Sequence, residues 1–284
     1  MTVSAVKIVT DSAQDFAPEV MQELGITVVP LTVHFGDESF RDWYEVRGKQ
    51  FYDRLSKGAV LPRTSQPSPA AFQKAFEDLS ADGSSVVCIV LSSGVSGTYQ
   101  SAVIARNALP ERDIAVIDSK QASCGEGILA IVAQEMARAG KPAAEIVAAI
   151  ESMAKKIVTL FSVDTLEYLA KNGRIGRAAQ FMGTLLNMKP ILGLDREGYV
   201  SAVERVRGKG KVIPRLIEVA LERAGSREAA TVAISHANCP EDARQLKDAV
   251  SSAFKVERFF ESEIGAVIGS HVGPGTMALF VLPK

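Results

Sequence analysis

The chain has 284 residues, of which 47% are apolar and 23% are charged, and its formal net charge at pH 7 is −1. These fractions are typical of a folded globular protein, and the near-zero charge favours neither nucleic acid nor an anionic membrane as a partner. No apolar run approaches the roughly 18 residues that a membrane span needs, and the first residues lack a signal peptide's charged and apolar regions.

The first quarter of the chain alternates short β-rich and helical segments. The run from Lys7 to Thr10 predicts a strand, and the following helix is expected to end at Leu24-Gly25, with glycine as its C-cap. The stretch from Ile26 to Phe35 predicts a second strand. Pro30 interrupts it, which indicates an edge position or a bulge. Gly36-Asp37 then predicts a hairpin turn.

The next segments predict a parallel sheet. Val86 to Leu91 and Ile114 to Ile117 are continuous apolar runs, as expected for strands covered on both faces. Three helices are predicted between and after these strands. The first runs from Tyr99 to Leu109, the second ends at Gly140, and the third begins at Pro142. Strands that alternate with such helices indicate an α/β domain, which we assign to residues 1–160.

The second half has a different pattern, from which we predict an α+β sandwich over residues 161–284. A strand at 157–163 precedes a short helix that begins after the capping-box spacing Asp164 to Glu167 and ends at Asn172-Gly173. Further helices at 211–224 and 241–253 alternate with strands at 230–234, 255–260 and 277–282. The chain's length also favours two domains.

One candidate site follows the first apolar strand, in the segment from Leu91 to Tyr99. It falls at the carboxyl edge of the predicted parallel sheet, where open α/β folds bind ligands. Gly94 and Gly97 let the backbone approach a ligand closely, and the helix beginning at Thr98 offers unpaired N–H groups to an anion. The alternative is a capped strand-to-helix turn that binds nothing.

Three other segments are rich in Gly, Pro, Ser or Thr. Arg63 to Pro69 predicts an extended loop with free hydroxyls on Thr64 and Ser65, followed by a helix with Ser68 as its N-cap. Glu263 to Thr276 surrounds His271 with glycines, which indicates a backbone close to a partner, although a lone histidine is more often a structural residue than a ligand contact; His34 and His236 lack such a setting. Arg174 lies between two glycines and is suited to bidentate pairing with a carboxylate or phosphate.

The charged run from Arg205 to Lys211 is more simply interpreted as a solvated loop. Cys88, Cys124 and Cys239 are odd in number, widely separated and show no CxxC spacing, which indicates free thiols in a reducing cytosol and no structural metal. We therefore expect a cytoplasmic protein.

Taken in order, these segments resemble the DegV family of bacterial lipid-binding proteins. The resemblance covers essentially the whole chain from residue 8. No single matching segment is specific to the family, but the complete set of segments in this order is. It rests on Thr10-Asp11-Ser12, Val29 to Val33, Thr64 to Pro69, Leu91 to Ala102, Asp118 to Lys120, Asp164 to Leu169, Gly173 to Gly176, Lys189 to Leu192 and Gly265 to Thr276. One minor departure is Val95, where relatives often carry Leu or Ile.

The resemblance implies an N-terminal α/β domain and a C-terminal α+β domain that enclose one long-chain fatty acid, such as palmitate or oleate, with no other cofactor. Hydroxyls at Thr64 and Ser93 would hold the carboxylate. Ser65, Ser92 and Gly94 would lie nearby, and His271 and Arg174 would complete the polar network. Relatives of this kind can present the fatty acid to a separate ATP-dependent kinase, and Arg205, Arg207 and Lys209 are the candidate contacts for it. The resemblance leaves open whether Arg174 and Arg207 contact that partner or belong to the polar network at the carboxylate.

Two enzymatic alternatives compete with this interpretation. Ser93 to Gly97 superficially resembles a nucleophile elbow, with His271 and Asp11 or Asp118 as imaginable triad partners for a lipid-acting hydrolase. The G-x-S-x-G spacing fails, however, because the glycine required at position 98 is Thr98. A kinase is the second alternative, since the substrate domain of dihydroxyacetone kinase shares the general fold, but no Walker A pattern is present.

Overall fold

The computed structural model describes residues 5–58, 60–183 and 188–284, which contain thirteen strands and ten helices. The strands in chain order are β1 (Val6–Asp11), β2 (Ile26–Val29), β3 (Thr32–Phe35), β4 (Glu38–Arg41), β5 (Arg63–Ser65), β6 (Ser85–Val90), β7 (Ile114–Asp118), β8 (Val158–Ser162), β9 (Met188–Leu194), β10 (Val200–Arg207), β11 (Glu228–His236), β12 (Lys255–Glu263) and β13 (Met277–Pro283). The helices are α1 (Pro18–Glu23), α2 (Gly48–Lys57), α3 (Pro69–Ser80), α4 (Thr98–Asn107), α5 (Cys124–Arg138), α6 (Ala143–Ala154), α7 (Glu167–Lys171), α8 (Val212–Ala224), α9 (Pro240–Ala253) and α10 (Ala266–Val272).

The N-terminal sheet is parallel and has the order β2-β1-β6-β7. All six residues of β6 are buried, because successive side chains point to opposite faces and both faces are covered. Val86, Cys88 and Val90 pack towards α3 and α4, whereas Val87 and Ile89 pack on the side of α5 and α6. The predicted parallel α/β domain is therefore confirmed.

The C-terminal sheet has six strands in the order β10-β9-β8-β13-β11-β12, and among its pairs β11 and β12 run parallel while the others are antiparallel. Helices α8 and α9 cover one face of this sheet, and α5 packs against the other face and also against β1. Helix α5 is consequently buried along residues 124–133. The mixed α+β character predicted for the second half is confirmed. The boundary at residue 160 stays a prediction, and it falls inside β8.

Pro30 separates two strands that belong to different sheets. β2 is an edge strand of the parallel sheet, whereas β3 lies in the middle of a three-stranded antiparallel sheet with the order β4-β3-β5. Proline lacks an N–H and cannot continue the ladder, so the chain leaves one sheet at this point and enters another. The predicted turn at Gly36-Asp37 is confirmed between β3 and β4.

Two segments differ from their expected form. Arg205 and Arg207 belong to β10, which pairs with β9, so the charged run begins on an edge strand instead of a loop. Val203 and Val206 of this strand pack on the cluster beneath α8, and this burial explains the strand. The glycine-rich segment around His271 forms α10. In the described ranges, no helix is both long and apolar enough to cross a membrane.

Candidate functional site

A cavity lies between the two large sheets, with β5 and α10 forming part of its wall. The empty space within the cavity and its open mouth, part of which is bulk solvent, amounts to about 840 Å³. The lining is mostly apolar and comes from every part of the fold, including Leu31, Val95, Phe161, Leu194, Val267 and Phe280. The polar lining residues are Thr64, Gln66, Ser96, Ser123, Thr159, Arg174, His271 and Thr276.

These polar residues fall into two groups. The hydroxyls of Ser123, Thr159 and Thr276 donate to acceptors within the protein, namely the Asp15 carboxylate, the Gln121 side chain and backbone carbonyls at the end of α10. The second group, Thr64, Gln66, Ser96, Arg174 and His271, lies around the ends of β5 and α10. The name head-group cluster is used for these five residues below.

Thr64 and His271 contact each other across 207 positions of sequence, with 2.8 Å between Thr64 Oγ1 and His271 Nε2. Burial, and secondly the positive charge of Arg174, lower the pKa of His271 to about 4, so its ring is neutral at pH 7. Nδ1 of His271 is buried and has no hydrogen-bond partner among the described residues. A neutral imidazole that donates from Nε2 to Thr64 leaves the threonine hydroxyl free to donate in turn.

Arg174 brings a positive charge to the same cluster. Its Nε donates to the Val95 carbonyl at 3.1 Å and its Nη1 donates to the Asn172 carbonyl at 2.8 Å. Both partners are neutral, and no carboxylate within the described ranges pairs with this guanidinium. The cavity therefore combines apolar walls with a half-buried cation that has no anionic partner, which is an arrangement suited to a ligand with an anionic head and an apolar body.

Comparison with known proteins places this architecture in a family. A family model described as that of an uncharacterised protein, DegV family, matches residues 5–284. The chain belongs to the DegV family. A DegV domain-containing protein of Caldanaerobacter subterraneus is 35% identical over 279 residues, which are 98% of this chain and 99% of that protein.

Solved structures of DegV proteins have the same fold. A fatty-acid-binding DegV family protein from Thermus thermophilus superposes with a TM-score of 0.93 at 34% identity, and the match covers 99% of this chain and 100% of that one. A stearic-acid-binding protein from Eubacterium ventriosum has a TM-score of 0.89 at 27% identity, with 98% of each chain covered.

The structure brings together three of the residues that the DegV resemblance assigned to the ligand, and it places four others outside the cavity lining. Thr64, His271 and Arg174 line the cavity. Ser65 points to the opposite face of β5, where its Oγ lies 2.9 Å from His34 Nε2. The alternation of side chains along a strand explains the difference, because Ser65 cannot share a face with Thr64.

Ser93 is exposed on the outer side of the serine-rich segment. Its Oγ accepts a hydrogen bond from Lys120 Nζ at 3.0 Å, and Lys120 also pairs with Asp118 at 2.6 Å. Its backbone N–H donates to Asp118 Oδ1 at 3.1 Å. The Ser93 hydroxyl is therefore engaged by charged side chains away from the head-group cluster.

Ser92 and Gly94 contact the turn of the β9–β10 hairpin. Ser92 Oγ donates to the Gly198 carbonyl at 2.9 Å. A Cβ on Gly94 would lie 2.7 Å from the carbonyl carbon and oxygen of Gly198, so only glycine fits without a shift of the backbone. Since Leu194 and Val200 at the base of this turn line the cavity, the contact closes one of its walls.

Gln66 and Ser96 line the cavity, although sequence reasoning gave them no role. Gln66 follows Thr64 by two positions and so shares its face, and this period of two is the signal that could have identified it. The Gln66 amide lies so close to Gly97 that a Cβ there would approach Nε2 to 2.6 Å, which explains that glycine. No comparable pattern singles out Ser96 from its neighbouring serines.

The basic residues assigned to a partner lie along and beyond β10. Arg207 is exposed, and its side chain makes no hydrogen bond or ion pair with other described residues. The Arg205 guanidinium lies 5.0 Å from the ring centroid of Phe181, and Lys209 pairs with Asp242 at 2.6 Å. Of these three cations, Arg207 is thus the one whose charge remains available to a partner.

Neither a metal centre nor a catalytic triad is evident in the part of the chain that the structure describes. No group of three or more His, Cys, Asp or Glu residues is placed to hold a metal ion there. The two acids considered for a hydrolase have other partners: Asp11 accepts from the backbone of Ala13 and Leu91, and Asp118 pairs with Lys120. His271 thus lacks the orienting carboxylate of a Ser-His-Asp site.

Proposed function

We propose that this protein binds one long-chain fatty acid, with the acyl tail in the cavity and the carboxylate at the head-group cluster. The observation that carries the proposal is Arg174, a half-buried cation that lies at the edge of an apolar cavity and has no carboxylate partner among the described residues. An amphiphile with an anionic head matches both features, because burial of an unpaired charge is costly and burial of an apolar chain is favourable.

Hydrogen-bond donors define which head group fits. Thr64 donates its hydroxyl to the carboxylate, and His271 orients that hydroxyl through its contact at 2.8 Å. Arg174 supplies the compensating charge, and Gln66 and Ser96 offer further donors at the same end. Because His271 is neutral at pH 7, Arg174 provides the positive charge of the cluster, and one monoanionic head group balances it.

The apolar walls account for most of the affinity. At about 0.8 kcal/mol for each buried methylene, a chain of about fifteen methylenes contributes roughly 12 kcal/mol before the cost of association. The remaining lining hydroxyls already donate to protein acceptors, so they add no unsatisfied donor along the tail. The names of the Thermus and Eubacterium neighbours, which bind a fatty acid and stearic acid, support the same ligand class.

We further infer that the protein presents its fatty acid to a separate ATP-dependent kinase that forms an acyl phosphate. This inference rests on the DegV resemblance and on the exposed side chain of Arg207, which has no ion-pair partner in the described part of the chain. A partner with an acidic docking surface would complement this exposed cation and be steered towards it. Arg205 and Lys209 flank this position on the same edge of the sheet.

Native mass spectrometry tests the central proposal. Protein purified from cells is expected to carry an added mass of one fatty acid per chain, and extraction followed by chromatography identifies the acid. Delipidated protein is expected to take up one equivalent of oleate or palmitate. Protein that is recovered without lipid and also fails to bind either acid would rule out the proposal.

A further inference from the structure

Helix α10 carries His271, and its first turn is held by two buried carboxylates from the N-terminal domain. Asp42 Oδ1 accepts the backbone N–H groups of Ala266 and Val267 at 3.0 and 3.2 Å. Asp15 Oδ1 accepts the N–H of Gly265 at 2.9 Å. These N–H groups have no acceptor within the helix, so the carboxylates supply one from more than 220 positions away in the sequence.

Asp42 is fixed on its other side as well. Its Oδ2 accepts the Ser12 hydroxyl at 2.8 Å, and Ser12 Oγ in turn accepts the Leu31 N–H at 3.0 Å. Both side chains are fully buried. Asp42 therefore accepts three hydrogen bonds, one from Ser12 and two from α10, and it joins the start of α10 to the turn after β1.

The position of α10 matters for the head-group cluster because the helix has only seven residues. His271 lies five residues after Ala266, or about 7.5 Å along the helix axis at 1.5 Å per residue. A tilt or shift of the first turn is transmitted through so short a helix to the imidazole. The 2.8 Å contact between Thr64 and His271 depends on that placement.

We infer that Asp42 is a positioning residue for fatty-acid binding, because its carboxylate sets the place of α10 and thereby the contact of His271 with Thr64. The inference rests on the proposed function. A charged carboxylate binds helix N–H groups more strongly than a neutral acid does. A ligand that holds His271 in place should therefore bind best when Asp42 is ionised, and the coupling is reciprocal.

Titration of Asp42 gives this role a measurable signature. Burial raises the pKa of Asp42 to about 7, against the lowering effect of its bonds to Ser12, Val267 and Ala266. Three titratable groups interact electrostatically with the Asp42 carboxyl, namely Asp11 and Asp15 near β1 and Tyr52 on α2. Ionisation is thus expected within the pH range in which binding can be measured, and affinity should rise with pH from 6 to 8.

The experiment compares wild type with Asp42→Asn, which keeps a cap oxygen but is neutral at every pH. Wild-type affinity for oleate should increase about three- to tenfold from pH 6 to pH 8, whereas the variant should bind weakly with little change. Because oleate itself titrates, the readout is the difference between the two proteins at each pH. Asp53→Asn, an exposed carboxylate paired with Lys49 on α2, is the matched control and should follow wild type.

Trp43 provides a second readout that needs no ligand. It is the only tryptophan of the chain, and its indole packs against Gly265, the N-cap of α10. Its emission should change with a midpoint near pH 7 in wild type, and Asp42→Asn should lose this transition. Asp15, whose carboxyl also lies at Gly265 and whose pKa is raised by burial, is present in both proteins, so the difference between the two curves reports Asp42. Absence of fatty-acid binding by wild type at pH 8 would overturn the proposed function and with it the binding role of Asp42, whereas the Trp43 titration would still show whether ionised Asp42 sets the place of α10.

The inference is overturned if Asp42→Asn shows the wild-type affinity profile, or if it leaves the Trp43 titration unchanged. Should this variant fail to fold, Ser12→Ala takes its place. That change removes one hydrogen-bond donor to the Asp42 carboxylate and leaves the bonds from Asp42 to α10 in place. Because the ionised form of Asp42 is then less favoured, the midpoints of oleate affinity and of Trp43 emission should both move to higher pH. Midpoints that coincide with those of wild type would equally contradict the role of Asp42.

Discussion

At the scale of single residues, strand alternation and hydrogen-bond partners decide which hydroxyls can meet a carboxylate. Thr64→Val keeps the volume of the side chain and removes the hydroxyl that His271 orients. The loss of a charge-assisted hydrogen bond of about 1.5–3 kcal/mol should weaken oleate binding by roughly 10- to 150-fold. Isothermal titration calorimetry with delipidated protein measures the change.

Ser93→Ala is the natural control, because the sequence resemblance gave Ser93 the same role as Thr64. Its hydroxyl accepts from Lys120 on the exposed side of the segment, so its removal should change the affinity by less than about threefold. Equal losses in the two variants would restore the sequence-based assignment and contradict the cluster described above. The sequence shows that hydroxyls are concentrated in this segment, but not which one turns inward.

At the scale of elements, the contact between the serine-rich segment and the β9–β10 hairpin predicts an effect on stability. A methyl group on Gly94 would lie 2.7 Å from the Gly198 carbonyl, so Gly94→Ala must displace the hairpin or the segment. Overpacking of this kind costs about 1–3 kcal/mol, and the melting temperature should fall by several degrees. Thermal unfolding followed by circular dichroism measures it.

Gly210→Ala is a suitable comparison for the hairpin variant. A Cβ at Gly210 meets no heavy atom within 4 Å, and its φ is not in the left-handed region. This substitution should leave the melting temperature unchanged or raise it slightly, since alanine reduces the freedom of the unfolded chain. If both variants melt at the wild-type temperature, the hairpin contact does not stabilise the fold.

Periodicity predicted most of the long elements, because their apolar faces repeat at helical or strand spacing. It gave no strand for β10, where a bulge between Ala202 and Glu204 breaks the alternation, so that Val203 and Val206 pack on the same cluster although they are three positions apart. It also gave no helix for α10, which contains Gly269. That glycine lowers helix propensity, yet a Cβ there would lie 2.8 Å from both Phe51 and Tyr52, so close packing requires it.

At the scale of the whole molecule, the cavity is a product of tertiary structure. Its lining runs from Leu31 to Phe280, and its central polar contact joins residues 207 positions apart. A single sequence contains no signal for such distant pairs, whereas local patterns indicate the sheets that bring them together. The buried Asp42 was missed for the same reason, since its partners on α10 lie more than 220 positions away.

The proposed delivery of the fatty acid also belongs to this scale, because it separates the docking surface from the ligand site. Val200 lines the cavity at one end of β10, and Arg207 lies at the other end, about 23 Å away at 3.3 Å per residue. We expect solvent and salt to screen an exposed charge at this distance from the cavity wall at Val200. Arg207 can therefore affect a partner without affecting the ligand.

Arg207→Ala should accordingly leave oleate affinity within about twofold of wild type but slow phosphorylation of the bound acid by a fatty acid kinase by about tenfold, mainly through weaker association. The rate is measured as acyl phosphate formed with ATP, at increasing concentrations of the loaded protein.

Arg227→Ala, which removes another exposed arginine before β11, should have no effect. Higher salt should reduce the difference between wild type and Arg207→Ala, since screening weakens the steering charge in wild type. A variant that is phosphorylated at the wild-type rate would show that β10 is not the docking surface, and a variant that loses oleate would place Arg207 in the head-group network instead.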